Sequence, residues 1–421
     1  MILIKGGSLY TESAKTIDIL IHGDKIAQIG ENIDLTGSME LIEATGLVIA
    51  PGLVDMHVHF REPGYEYKED IQTGAQAAAA GGVTTCCCMA NTSPVADSVD
   101  VVKFIVDKAK TAPVRVLPYG AVTRGQKGEE LTDFVALKVL GAVALSDDGN
   151  NIQSAELTRR AMRLAHDYGL LIISHCEDGE LVRNYAVNEG KVSKQLGLTG
   201  RPAIAEEIMV VRDAMLAAET GARVHIAHLS TAKSVDIVRK AKAAGVNITA
   251  ETCPHYFTLT EDELMKQGTL ARVNPPLRTA SDVEAIINGL MDGTIDAIVT
   301  DHAPHSAEEK ALSLTDAPSG ISGLETSLAI TLTYLYHTGE LSLANIIKLM
   351  SENPARILGL KAGTLETGKT ADVVIFDPNE EWTVDPSKFK SKAKHSPFAG
   401  MKLRGKVKYT ISQGKIVYRG D

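Results

Sequence analysis

The sequence predicts an α/β protein: a (β/α)8 barrel of the TIM type with a small β-domain built from the N- and C-terminal segments. Three observations predict it. From residue 53 onward, eight short apolar strand-like runs alternate with helix-like stretches, the pattern of parallel strands joined by crossover helices. Residues 1–50 and 360–421 read instead as short strands and turns. Histidines and aspartates recur where the barrel strands end, the face on which such barrels carry their chemistry. The expected division is 1–50 with 360–421 as one composite β-domain and 51–359 as the catalytic barrel. A length of 421 residues accommodates both, since a barrel of this kind takes about 250.

In chain order, Asp18–His22 and Lys25–Ile29 flank Gly23-Asp24, a hairpin signal. His22 decorates this hairpin. The expected barrel strands are Leu53–Val58, Val83–Cys88, Arg115–Tyr119, Ala142–Ser146, Leu170–His175, Arg223–Ala227, Asn247–Glu251 and Ala297–Thr300. Helix-like stretches between them include Ser154–Tyr168, Ala203–Thr220 and Ser230–Ala244, the last ended by Gly245. Ser230 and Thr279 read as helix caps. Long loops cover about 176–203 and 302–322, the second placed as an active-site lid would be. Strand patterns return at Ala371–Asp377, Val407–Ile411 and Lys415–Tyr418. No Gly-x-Gly-x-x-Gly follows the first strand and no P-loop occurs, which argues against the rival doubly wound nucleotide-binding sheet.

Lys and Arg number 43 and Asp and Glu 53, a net charge of −10, which disfavours nucleic acid and anionic membrane as partners. It leaves room for an anionic substrate in a locally basic pocket. No apolar run approaches the roughly 20 residues of a membrane span. The start, Met1 to Gly7, is too quickly interrupted for a signal peptide. Cys86, Cys87, Cys88, Cys176 and Cys253 are odd in number and lack paired spacings, so a reducing cytoplasm is expected. Three consecutive strand cysteines cannot all face one ion, so Cys86–Cys88 reads as small core hydrophobes.

The chemistry starts at Asp55-Met56-His57-Val58-His59-Phe60-Arg61. In a strand, residues i and i+2 share a face, so His57 and His59 stand side by side. Alone, the pair is as readily two hydrogen-bonded core histidines as two metal ligands. Other strand ends supply partners: Asn91, Asp147 and Asp148, His175, His228 and Asp301. Four histidines and two carboxylates converging on one barrel mouth, with no thiolate, suit zinc, manganese or cobalt. The count suits two ions. His57, His59 and Asp301 could hold one, His175 and His228 the other, with Asp148 by preference between them. Two ions about 3.5–4 Å apart can share a hydroxide and polarise a carbonyl, and Asp301 could then carry the proton to a leaving nitrogen. That is hydrolysis of a C–N bond, or its reverse.

The motifs His57-Val58-His59-Phe60-Arg61-Glu62-Pro63-Gly64, Met89-Ala90-Asn91-Thr92, Asp147-Asp148-Gly149, Glu251-Thr252-Cys253-Pro254-His255, Asn274-Pro275-Pro276-Leu277-Arg278 and Asp301-His302-Ala303-Pro304-His305 resemble those of the amidohydrolase superfamily. Within it, the chain resembles the bacterial type I dihydroorotases over essentially its whole length. The resemblance implies reversible cyclisation of N-carbamoyl-L-aspartate to L-dihydroorotate in pyrimidine synthesis. It implies up to two zinc ions on His57, His59, Asp148, His175, His228 and Asp301, with Asp301 catalytic and Asp148 selected over Asp147 as the bridge. It also implies substrate contacts from His59, Arg61, Asn91, Asn274 and His305, and a homodimer for which association with aspartate carbamoyltransferase is open. The planar fork of Arg61 matches a carboxylate; its plainer reading is a surface ion pair with Glu62. Plainer readings of Asn91 and Asn274 are turn residues, and of His255 a satisfied core histidine. The role of His302 stays open.

One departure stands out. The family usually carries Phe-Gly in the substrate-contacting loop after strand eight, where this chain has Ser319-Gly320. Gly320 could still offer backbone donors. Two rivals remain. Hydantoinases and allantoinases usually bridge their metals with a carboxylated lysine near strand four, but Lys138 is placed at the far end of the barrel. A non-catalytic scaffold would have lost ligands, and here each expected position is occupied.

Overall fold

The computed structural model describes every residue except 12, 14, 35–38 and 184. Among the described residues, eight parallel strands follow residue 52. Leu53–Val58, Val83–Cys88 and Arg115–Pro118 form one sheet in chain order. Leu145–Ser146, Leu171–Ser174, Arg223–Ile226, Ile248–Thr252 and Ala297–Ile298 form a second, also in chain order. Single parallel bridges, Gly120 to Leu145 and Val58 to His302, join the two sheets at both flanks. The eight segments were legible because they are mostly apolar and buried on both faces, as strands covered by helices are.

The fourth and eighth strands are shorter than their sequence patterns. Before Leu145 the chain still reaches the third strand through single bonds, Val143 N to Pro118 O and Gly120 N to Ala144 O, each 3.1 Å. After Ile298, Val299 N donates to Thr252 O at 3.0 Å, but Thr300 N turns to the Asp55 carboxylate at 3.3 Å. Asp301 then takes φ 46°, which no strand residue adopts, so the ladder stops there.

Three helices cover the second sheet where expected. Ala155–Asp167 is capped by Ser154, and Ile204–Thr220 ends on Gly221 at φ 69°. Ala232–Ala243 is capped by Thr231. Ser230 is therefore not the cap: its backbone N–H and hydroxyl are both taken by buried Glu206. Thr279 does cap Ala280–Met291, in a capping box with Asp282. The 176–203 loop contains two short helices, Gly179–Val182 and Lys191–Gln195, and the 302–322 loop contains Ala307–Lys310.

The two ends of the chain form one eight-stranded sheet. Val373–Thr383 pairs with Val48–Pro51 on one side and Lys402–Ser412 on the other, and Ile2–Leu9 continues the sheet beyond Val48–Pro51. Gly23-Asp24 makes the two-residue turn between Thr16–His22 and Lys25–Gly30, with His22 paired to Lys25 and exposed. Ile4, Ile19, Ile21, Val373 and Ile375 pack into an apolar cluster of their own beside the large one. All five cysteines are buried and free. No helix among the described residues is long and apolar enough to cross a membrane.

Candidate metal centre

The first strand delivers His57 and His59 to one face, ring centroids 5.4 Å apart. His57 Nε2 lies 3.6 Å from Asp148 Oδ1 and 3.5 Å from Asp301 Oδ1. His59 Nε2 lies 3.0 Å from Asp301 Oδ1 and 3.5 Å from Asp148 Oδ2. His175, just past the fifth strand, turns Nδ1 to within 3.4 Å of Asp148 Oδ1 and 2.8 Å of His228 Nε2. His228, past the sixth, is 3.5 Å from the same Asp148 oxygen. All six predicted ligands are thus brought together and buried. Two overlapping groups have the spacing of an ion's ligands: His57 with His59 and Asp301, and His57 with Asp148 and His228. Asp148 touches both histidine pairs, the position expected of a bridge.

A cation fits this cluster. His57 Nε2 and Asp148 Oδ1 are fully buried and without a hydrogen-bond partner among the described residues, a costly arrangement unless something else satisfies them. The charge balance points the same way. Burial works against a charged His57, yet Asp148, Glu251 and Asp301 around it push its pKa well above the ordinary value. Burial alone would raise the Asp301 carboxyl, but His57 and His59 hold it well below the usual range. Three buried carboxylates around His57 favour positive charge at this point, which a cation supplies as well as a proton does.

Asp147 and Asp148 point opposite ways, as neighbours in extended chain do. Asp147 Oδ1 accepts from Val122 N at 2.8 Å and Thr123 N at 3.1 Å, away from the histidines. Gly149, at φ 85°, turns the chain immediately afterwards. Lys138 sits on the helix Phe134–Val139 and donates to Tyr168 O at 2.7 Å, outside this cluster.

Around the ligands the picture is mixed. Asn91 Oδ1 accepts from His59 Nδ1 at 2.9 Å, so it fixes which nitrogen of His59 is free and is more than a turn residue. Asn274 Nδ2 lies 3.3 Å from Glu177 Oε2 and 3.4 Å from His175 Nε2. Arg61, at φ 63°, makes no pair with Glu62; its Nε donates to Pro304 O at 3.2 Å and Nη2 lies 3.3 Å from His305 Nε2. Glu62 instead accepts from Ile71 N and pairs with Lys108. His305 Nε2 lies 2.9 Å from Ser319 O. Burial, with Arg61 and Lys68 nearby, holds His305 far below its ordinary pKa, so the ring is neutral. The Gly320 N–H is taken by Arg272 O at 2.9 Å, so the expected backbone donor is already engaged. Lys310 Nζ holds the same loop through Pro318 O and Gly320 O.

Two other histidines are now placed. His302 Nδ1 accepts from Gly323 N at 3.2 Å and its Nε2 faces Glu69 at 3.4 Å, a structural role. His255 is buried, but its Nε2 has no partner among the described residues. It is a core histidine without being a satisfied one.

The residues missed at the sequence level lie behind the ligands. Glu251 Oε1 accepts from His57 Nδ1 at 2.6 Å and Oε2 from His225 Nε2 at 3.1 Å, all three being completely buried. A carboxylate only accepts, so the His57 proton sits on Nδ1 and Nε2 is free for a metal. His225 and Glu251 are polar residues inside apolar strands, and that signal could have found them, since a buried polar group needs a partner. Glu177 and Arg201 are the other pair missed.

Comparisons with known proteins identify the family. The dihydro-orotase-like family model matches residues 46–234. The chain is 50% identical to a dihydroorotase of Acetivibrio thermocellus, covering 99% of each chain. It is 49% identical to one of Clostridioides difficile, covering 99% of this chain and all of that one (100%). Among solved structures it resembles the L-hydantoinase (dihydropyrimidinase) of Arthrobacter aurescens, at TM-score 0.89 and 27% identity, covering 100% of this chain and 96% of that one. It also resembles the dihydropyrimidinase of Brevibacillus agri, at TM-score 0.87 and 26% identity, covering 99% and 95%. The chain belongs to the dihydroorotase family of cyclic amidohydrolases.

Proposed function

We propose that the chain catalyses the reversible cyclisation of N-carbamoyl-L-aspartate to L-dihydroorotate, on a centre of up to two zinc ions. One observation carries the choice of substrate: Arg61, two residues after His59, is half-buried, and among the described residues its side chain meets Pro304 O and His305 Nε2 and no carboxylate. A guanidinium left without a carboxylate partner beside the ligands calls for an anion, and its planar fork suits the substrate carboxylate.

His57, His59 and Asp301 would hold one ion and His175 and His228 the other, with Asp148 between them. Nitrogen and oxygen donors without thiolate suit zinc. When bound, the ions supply Lewis-acid polarisation of the ring carbonyl and a more acidic water. The chain's own residues do the rest. Arg61, with His305 and Asn91 nearby, orients the substrate carboxylate. In the hydrolytic direction water oxygen bonds to the carbonyl carbon and the ring C–N bond breaks. Asp301, ionised beforehand, takes a proton from the attacking water and delivers it to the departing nitrogen. Cyclisation runs the same transfers backwards and releases water.

With this reading go a single closed barrel of the eight parallel strands over 51–359, a composite β-domain of 1–50 and 360–421, a cytoplasmic homodimer, and association with aspartate carbamoyltransferase. The test is an assay of metal-replete protein on L-dihydroorotate, hydantoin and allantoin side by side. Turnover of L-dihydroorotate in clear preference is the expected result. Preference for hydantoin overturns it in favour of the activity named for the solved structures.

A further inference from the structure

His175 presents its two nitrogens to different neighbours. Nδ1 faces Asp148 Oδ1 at 3.4 Å and His228 Nε2 at 2.8 Å. Nε2 faces the other way, 3.4 Å from Glu177 Oε2. Glu177 does not stand alone. Its Oε1 lies 2.8 Å from Arg201 Nη1, and its Oε2 lies 3.3 Å from Asn274 Nδ2. Arg201 is itself fixed: its Nε donates to Tyr185 O and its Nη1 to Asn274 Oδ1. Backbone bonds tie it further, Arg201 N to Val187 O at 2.7 Å and Glu189 N to Arg201 O at 2.9 Å. The two side chains are only 13% and 12% exposed.

We propose that Glu177 and Arg201 are a positioning pair that fixes His175 as an Nδ1 ligand, and so sets the affinity of the ion held by His175 and His228 with Asp148. A neutral imidazole has one N–H and one lone pair. A carboxylate can only accept. Asn274 Nδ2, also 3.4 Å from Nε2, could only donate to it, but the charged carboxylate is the stronger partner, so Glu177 places the proton on Nε2 and leaves the Nδ1 lone pair toward Asp148 and His228. Arg201, 2.8 Å from Glu177 Oε1, holds the carboxylate aimed at the ring. The other ion is oriented by a different device, since His57 donates to Glu251, whose second oxygen is closed off by His225. The two ions are therefore tuned separately: one from the sealed core, the other from a polar cluster of the 176–203 loop. Asn274, which the family resemblance gives to the substrate, belongs to that second cluster.

This inference rests on the metal centre proposed above, and its test uses metal alone. Apoprotein is titrated with Zn2+ by calorimetry and with Co2+ by visible absorption, for wild type, Glu177→Ala, Glu177→Gln and Arg201→Met. Glu177→Ala is expected to weaken one of two ions by roughly 10- to 100-fold, the range for partners behind metal ligands, and to leave the other unchanged. Glu177→Gln, whose amide oxygen still accepts from Nε2–H, is expected to recover part of that loss. Arg201→Met is expected to weaken the same ion, by less. Two ions bound by Glu177→Ala with wild-type affinity and an unaltered Co2+ spectrum overturn the proposal. So does equal weakening of both ions. Should Glu177→Ala fail to fold, Arg201→Met and Glu177→Gln decide by the same criteria. A wild type that binds two ions but ignores L-dihydroorotate would refute the proposed substrate and leave this inference standing.

Discussion

His57 Nε2 and Asp148 Oδ1 lie 3.6 Å apart in the interior, and neither has a hydrogen-bond partner among the described residues. Two polar atoms that face each other at that distance, one from the first parallel strand and one from the end of the fourth, leave a gap suited to a shared cation. Asp148 also faces His175 and His228, so removing its carboxylate disconnects the two histidine pairs. Asp148→Ala is expected to lose one metal and most activity, while Lys138→Ala keeps both ions and its rate. Metal analysis of the purified variants checks this. A rate that collapses in bicarbonate-free buffer and returns with bicarbonate would reveal a carboxylated lysine as the bridge instead.

Chelation of the wild type should abolish turnover, and zinc should restore it. His57 Nε2 and Asp148 Oδ1 are buried without a hydrogen-bond partner among the described residues, a cost that a bound cation removes, so the apoprotein should also melt at a lower temperature. Full turnover by rigorously metal-free protein would end the proposed mechanism.

Arg61→Met removes the guanidinium and keeps much of the stem. Transition-state binding should fall by at least about 2 kcal/mol, roughly 30-fold in kcat/KM for dihydroorotate, as for the loss of a charge-assisted pair. Metal content should survive. Near-wild-type kcat/KM would remove Arg61 from the substrate site.

Glu251→Ala strips two buried imidazoles of their acceptor at once. Each orphaned donor costs roughly 1–3 kcal/mol, so denaturant melts of the apoproteins should show a loss of several kcal/mol. A variant as stable as wild type would mean that water or a rearranged side chain replaces the carboxylate.

His255 is expected to make the protein acid-sensitive. Burial pushes its pKa from 6.5 down to about 4. A base with a depressed pKa binds fewer protons folded than unfolded between those values, so stability is present above about pH 6.5 and lost as pH falls toward 4. His255→Leu removes the group, so its stability relative to wild type should improve on acidification through that window. Parallel melts at several pH values measure the difference, and a difference independent of pH would exclude the effect.

The sequence by itself determined that the chain is α/β with parallel strands, where the eight strands lie, and that histidines and carboxylates stand at their ends. Those follow from local rules: apolar strands alternate with helices, side chains alternate across a strand, and polar residues that end strands gather at one face. His57 with His59, and Asp147 against Asp148, were legible because their geometry is fixed within two residues. Only the tertiary structure decided which nitrogen each histidine offers. At His57 and His59 that choice depends on Glu251 and Asn91, which come from other strands and loops, and at His175 on Glu177, a near neighbour in sequence that the distant Arg201 and Asn274 hold in place. Tertiary structure also took Ser230 away from the helix cap and gave it to Glu206, and turned the Gly320 N–H to Arg272. Local preference cannot see an acceptor 24 or 48 residues away, and in a buried site the requirement that each polar group find a partner outweighs it.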